Sequence, residues 1–222
     1  MSNALRRELI CASAKAVNLQ AKGEERKFLI HQALLYHYSR YYETAINGSF
    51  AEQGKTDFEV DVDHNILALG ITWFYSGKVV SSDHEQLIQL YIFADRLEIL
   101  ALRRSVMDRF TKTRRTNLSN YRSVTIAYEN LAASSPLRLW LVKKYIHYWE
   151  LSYDVNPDGS VFDPPEDAPK EFLYAVMIGK AKRTCKQSGE PMEECNCYSD
   201  SCDFHEHSSE AERVASKYTS QA

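Results

Sequence analysis

The chain has 222 residues, of which 44% are hydrophobic and 26% charged. Its 8 glycines and 6 prolines are too few for a collagen-like or proline-rich low-complexity chain, and the apolar supply suffices for a folded core. A formal charge of −3 gives no reason to expect nucleic acid as the main partner, and the longest uncharged run, His64 to Gly77, is far short of the ~20 apolar residues that span a bilayer.

Residues 1–13 form an N-terminal segment without an extended apolar stretch, so no secretory signal is expected. Without export, the 5 cysteines point to reduced thiols or a metal site, in an intracellular protein of the nucleus and/or cytoplasm. Ala16–Leu19 and Arg26–Ile30 flank a turn at Gly23 and read as a hairpin. Phe58, Val60 and Val62 alternate with acidic residues, the period of a half-buried strand. Ile66, Leu67, Gly70, Ile71 and Phe74 share one helical face, as do Leu87, Leu90, Tyr91, Ala94 and Leu97. Ile99, Leu102, Val106 and Phe110 form the stripe of a following helix, and Val124, Ala127, Tyr128 and Leu131 that of another. From Leu137 to Trp149 apolar residues fall on nearly every side, which predicts a helix packed between others.

Four of the 6 prolines lie in residues 156–169, which read as a loop before one more helix. From Cys185 onward 3 basic residues face 8 acidic ones, a net charge of −5, with four of the five cysteines and almost no aliphatic side chains. The predicted organisation is therefore a body at 14–115, a helical extension at 116–184 and an acidic tail at 185–222. A small sheet wrapped by helices makes the fold class α+β. Phe28, Ile30, Leu34, Leu35, Phe74, Leu90 and Leu97 are expected to be buried together.

The order of residues in the body is informative. Phe28-Leu29-Ile30-His31-Gln32-Ala33-Leu34-Leu35, followed by Ser39, resembles the "F-x-V-H-K-x-x-L…S" segment of the BTB/POZ domain. Phe50-Ala51-Glu52 resembles its "F-x-E" turn, and Trp73 to Gly77 its "Y-x-Y-T-G" element. Leu90 to Leu102, with Ala94, Asp95, Leu97 and Leu100, resembles "L-x-x-A-D-x-(Y/F)-x-(I/M)-x-x-L". The similarity covers about residues 14–112. The family's "S-D-V" strand start is replaced by Ser13 to Val17, Gln32 stands for the usual Lys, and the N-terminal helix used for a swapped dimer has no clear counterpart.

The resemblance implies a BTB/POZ fold with a small, mostly antiparallel sheet, and a protein-interaction module that self-associates as a homodimer or docks a partner. Some BTB proteins are substrate adaptors of cullin-based ubiquitin ligases. The family's cullin contact maps onto Phe50, Glu52 and Tyr75, and helices after the domain can extend it. Phe28, His31, Leu35, Gly77, Ala94 and Asp95 match the structural motif.

Read from their own chemistry, these residues give no enzyme. No G-x-S-x-G, P-loop, G-x-G-x-x-G or H-E-x-x-H pattern occurs, and His84-Glu85 lacks its second histidine. His31 reads as a buried histidine satisfied by a backbone carbonyl, and Gly77 as a left-handed helix terminator. Phe50 and Tyr75 could equally be core aromatics. The cations from Arg103 to Arg115 read as a solvated helix face.

The tail offers different chemistry. Cys195, Cys197, Cys202 and His205, with His207 and Cys185 in reserve, supply the thiolates and imidazole of a closed tetrahedral zinc site. The alternative is a solvated tail with incidental cysteines. No cofactor is expected in the body. The second functional reading is a zinc-binding or nucleic-acid-associated regulator in which the tail is the working element.

Overall fold

The computed structural model of the chain describes residues 3–12, 14–47, 55–112, 118–155, 158–161, 168–186, 204, 206–207, 209 and 211–213. The chain divides into two compact units, Met1–Val106 and Met107–Ala222.

The first unit opens with a helix, α1 (Asn3–Ala12), where the sequence suggested only an N-terminal segment. Its sheet contains β1 (Ala16–Ala21), β2 (Lys27–His31) and β3 (Asp57–Val60) in the order β2-β1-β3. Strand β1 is antiparallel to β2, with Leu19 opposite Phe28, and parallel to β3, with Leu19 opposite Phe58. Alternation places Val17, Leu19, Ala21, Ile30 and Phe58 on the buried face. On the other face the Asp57 carboxylate takes Lys27 at 2.7 Å and Asn18 at 3.1 Å, which ties all three strands together and holds that carboxyl below its ordinary range.

Helices α2 (Gln32–Tyr38) and α3 (Arg40–Asn47) follow β2. After β3 come α4 (His64–Ser76), α5 (His84–Arg96) and α6 (Leu100–Thr111). Asp63 and Asp83 cap α4 and α5 by accepting from the backbone N–H groups of Asn65 and Gln86. Helix α4 buries Ile66, Leu67, Gly70, Trp73 and Phe74, so Trp73 takes the core position that the sequence pattern gave to Ile71. At Gly70 the absent side chain admits α5: a Cβ there would stand 2.7 Å from the Phe93 ring.

Of the seven expected core residues, Ile30, Leu34, Leu35, Phe74, Leu90 and Leu97 are buried. Phe28 is half-buried instead. It sits near the outer end of an edge strand, its ring stacked on His64 at 4.9 Å with Arg26 at 5.5 Å from its centroid.

Helix α1 packs against α2, and among its described residues Arg6 is the buried side chain. Arg6 is only 6% exposed and lies 5.4 and 5.5 Å from the ring centroids of Tyr38 and Trp73. Its Nε donates to the Phe74 carbonyl, 3.2 Å away, in the last turn of α4, where carbonyls lack helical partners and the dipole favours a cation. Gly77 closes that turn at φ 70°, its N–H donating to Trp73 O. A Cβ on Gly77 would stand 2.5–2.7 Å from the Arg6 guanidinium. Backbone conformation and available space both require glycine here.

The second unit holds α7 (Tyr121–Asn130), α8 (Pro136–Tyr148), a 3₁₀ turn (Leu151–Asp154) and α9 (Lys170–Lys186). Asn120 caps α7, and Pro136 starts α8. Helix α8 is not buried all round: Leu137, Trp140, Leu141, Lys144 and Tyr145 form one inner face, and Leu139 is 48% exposed. The expectation failed because a lysine occupies the apolar face and a leucine the solvent face, which blurs the stripe. Tyr128 is likewise half-buried, beneath the Arg138 guanidinium at 3.7 Å from its centroid. Helices α8 and α9 cross at Gly179, where a Cβ would overlap the Ile146 side chain.

Two predictions follow from this packing. Gly77→Ala should cost about 3 kcal/mol in urea unfolding, but about 1 kcal/mol in an Arg6→Ala background, where the backbone strain persists and the clash is gone. Equal costs in both backgrounds would show that Arg6 does not claim that space. The other concerns Lys144, 1% exposed with its Nζ 4.6 Å from the Trp140 centroid, whose pKa burial lowers to about 7. Between that value and 10.5 the unfolded chain holds a proton that the folded chain has released, so stability should rise with pH across the window. Lys144→Met should flatten the rise and add on the order of 1–3 kcal/mol at pH 6. Melting curves with parallel pH slopes for the two proteins would refute it.

Candidate functional site

The site is built where the end of β2 meets the end of α4. His31 is the last residue of β2 and the N-cap of α2, and Tyr75 lies in the final turn of α4. The His31 backbone N–H donates to the Tyr75 hydroxyl oxygen at 3.2 Å, and the hydroxyl lies 2.9 Å from Nδ1. One hydroxyl therefore binds both the backbone and the ring of His31. The rings meet edge to face, 5.8 Å between centroids at 78°. His31 is thus half-buried and held by a tyrosine, not buried against a carbonyl as its sequence position suggested. The tyrosine that supplies this contact is distant in sequence, which is why local reading missed it.

Neighbouring motif residues fix the helices around this pair. Leu35 is fully buried, and its carbonyl accepts from the Ser39 N–H. The Ser39 hydroxyl donates to the Leu97 carbonyl at 2.6 Å and accepts from the Tyr42 N–H, joining the α2–α3 corner to the end of α5. Ala94 is buried and its carbonyl receives the Ile99 N–H at 2.8 Å, while Asp95 O receives the Glu98 N–H. The Asp95 carboxylate pairs closely with Arg103 on α6. Alanine and aspartate at these positions therefore serve the tight α5–α6 turn, in which Glu98 takes φ 53°. Arg103, Arg104 and Arg109 are half-buried, so the basic stretch is no fully solvated face: its stems pack, and Arg103 is engaged by Asp95.

Phe50 and Glu52 lie outside the described residues, as do Cys195, Cys197, Cys202 and His205. Among the described residues no group of three or more His, Cys, Asp or Glu side chains could hold a metal ion. Cys11 on α1 is exposed, and among the described residues no helix is long and apolar enough to cross a membrane. Two anchoring residues escaped sequence reasoning. Arg6 is buried by aromatics that are remote in the chain. Phe204 is 1% exposed with the Lys143 ammonium 4.9 Å from its ring centroid. The single phenylalanine of an acidic, polar tail was the available signal for Phe204.

The His31–Tyr75 pair brings together no nucleophile, base and oxyanion donor. What it presents is a half-exposed aromatic on a rigid support, which suits contact with another protein more than chemistry. Comparison with known families matches residues 13–114 to the BTB/POZ domain, whereas no curated protein matches the chain. Domains of this kind are protein–protein interaction modules. The hairpin, the parallel third strand and the helices that lock His31, Ser39, Asp95 and Gly77 into place lie within the matched span, and residues 13–114 of the chain are a BTB/POZ domain.

Proposed function

We propose that the protein acts by binding other proteins through its BTB/POZ domain, as a self-associating adaptor that docks a cullin scaffold, and carries out no catalytic step. The observation that carries this reading is the domain match over residues 13–114. In the first unit Tyr75 supports it: its hydroxyl is anchored by His31 and its ring keeps partial exposure, so a partner would meet an aromatic whose ordering cost is already met. Phe50 and Glu52 complete the proposed contact, matching the family's hydrophobic-x-acid turn.

Charge reversal at Glu52 tests it. Glu52→Lys should abolish co-purification with a cullin N-terminal domain and leave the melting temperature nearly unchanged, since reversing a contact charge opposes a complementary partner without removing core packing. Undiminished capture by the variant would remove this surface from consideration. Tyr75→Phe, which loses only the hydroxyl, separates loss of the His31 clamp from loss of the aromatic contact.

The second reading makes the tail a zinc site formed by Cys195, Cys197, Cys202 and His205. Phe204 favours it, because a buried residue stands between Cys202 and His205 in the sequence. Three thiolates and one imidazole would make a closed, structural site. Elemental analysis should then find about one zinc per chain, with chelation exposing the tail to protease while the body stays folded. Metal-free protein with an equally protected tail would end this reading.

A further inference from the structure

The second unit encloses a cavity of about 310 Å³ among α7, α8 and α9. Its walls are aromatic: Tyr121 and Tyr145 lie 5.8 Å apart between centroids, Tyr145 and Phe172 4.9 Å apart at 80°, and Trp149 closes another side. Val176 lines it as well, while Leu173 and Met177, 36% and 58% exposed, leave it open to solvent. Among the described lining residues Lys180 is the charged one.

The polar groups of these walls are engaged within the protein. Tyr121 Oη and Trp149 Nε1 both donate to Asp154 Oδ2, at 2.9 and 2.7 Å, and Tyr145 Oη donates to the Ser119 carbonyl. Lys180 Nζ donates to the Trp149 carbonyl at 2.8 Å. These bonds fix the orientations of the two tyrosines and Trp149, and the space beside them offers an occupant mainly apolar surface. Along α9 the lining positions run from Phe172 to Lys180, about 12 Å of helix, with apolar residues on the first turns and the ammonium on the last.

We infer that this cavity binds a small amphipathic carboxylate, an acyl chain or aromatic acid of medium length, with its apolar body among the rings and its carboxylate at Lys180. The size is at the small end of ligand sites, which fits one short chain and not a large cofactor. Charge agrees with an anionic head. Arg183 stands one turn beyond Lys180 on α9, donating to the His147 carbonyl at 3.2 Å. Asp154 is outside the lining, with its carboxylate on Tyr121 and Trp149, which leaves Glu150 as the nearby acid acting on Lys180. Burial and Arg183 together lower the Lys180 pKa, and an anion beside it offsets both effects.

Titration calorimetry of the full chain tests the assignment, using decanoate, decanol and decylammonium as probes. Decanoate should bind saturably, one per chain, and quench Trp149 fluorescence, while decylammonium gives no saturable heat. Lys180→Met should weaken decanoate at least about tenfold, and Lys180→Arg, which keeps the charge, by no more than about threefold. Met177→Glu places an acid on an exposed rim position without touching the core and should also weaken decanoate, whether or not Lys180→Met stays folded. Non-saturating heat from decanoate, equal binding of decylammonium, or wild-type affinity in the folded variants would overturn the inference.

Discussion

Helix α4 ends in a turn whose last carbonyls have no partner within the helix, and Trp73 and Phe74 bring part of that turn into the protein's interior. Buried backbone acceptors must be satisfied, and here the donors come from Arg6 and the Gly77 backbone. A guanidinium suits this position because its planar face tolerates the Tyr38 and Trp73 rings while its edge donates to Phe74 O. Much follows from that one contact. It requires glycine at 77, fixes α1 on the body, and positions the preceding residue pair so that Tyr75 reaches His31.

The parts of the fold that could be read from the chain are those set by local periodicity. The hairpin, the alternating strand at Phe58 and the stripes of α5 and α6 depend on spacing that a short window reveals. Gly77 was legible for one of its two reasons, the left-handed backbone, and not for the other, the guanidinium beside it. Phe28 and Ile30 have the same parity on β2, yet one is half-buried and the other fully buried, because the depth of a strand position depends on what covers it. Helix α8 shows the opposite failure: Lys144 on the inner face masks an amphipathic pattern that is present in three dimensions. At the site, the motif named His31 and Tyr75 separately, whereas their bond is a product of tertiary packing.

The two units use aromatic residues differently. In the first, aromatic rings close around a cation and leave no room, as the crowding at Gly77 and Gly70 shows. In the second, hydrogen bonds to Asp154 and Ser119 fix the orientations of rings that line an open space. Close packing suits a module whose surface must be rigid to bind another protein. An open aromatic cavity suits recognition of something small.

The mixed sheet also dictates an order of assembly. β1 and β2 are joined by a short turn, so their pairing closes a small loop and forms early. The parallel partner β3 is remote, its Asp57 meeting Asn18 across 39 positions of chain, and a parallel pair cannot form until that crossover is traversed. Phe58 therefore enters the core after the hairpin and α2 are in place, and until then the β3-facing edge of β1 has open backbone donors and acceptors. During synthesis that edge is open to pairing with another strand until the chain has emerged past Val60.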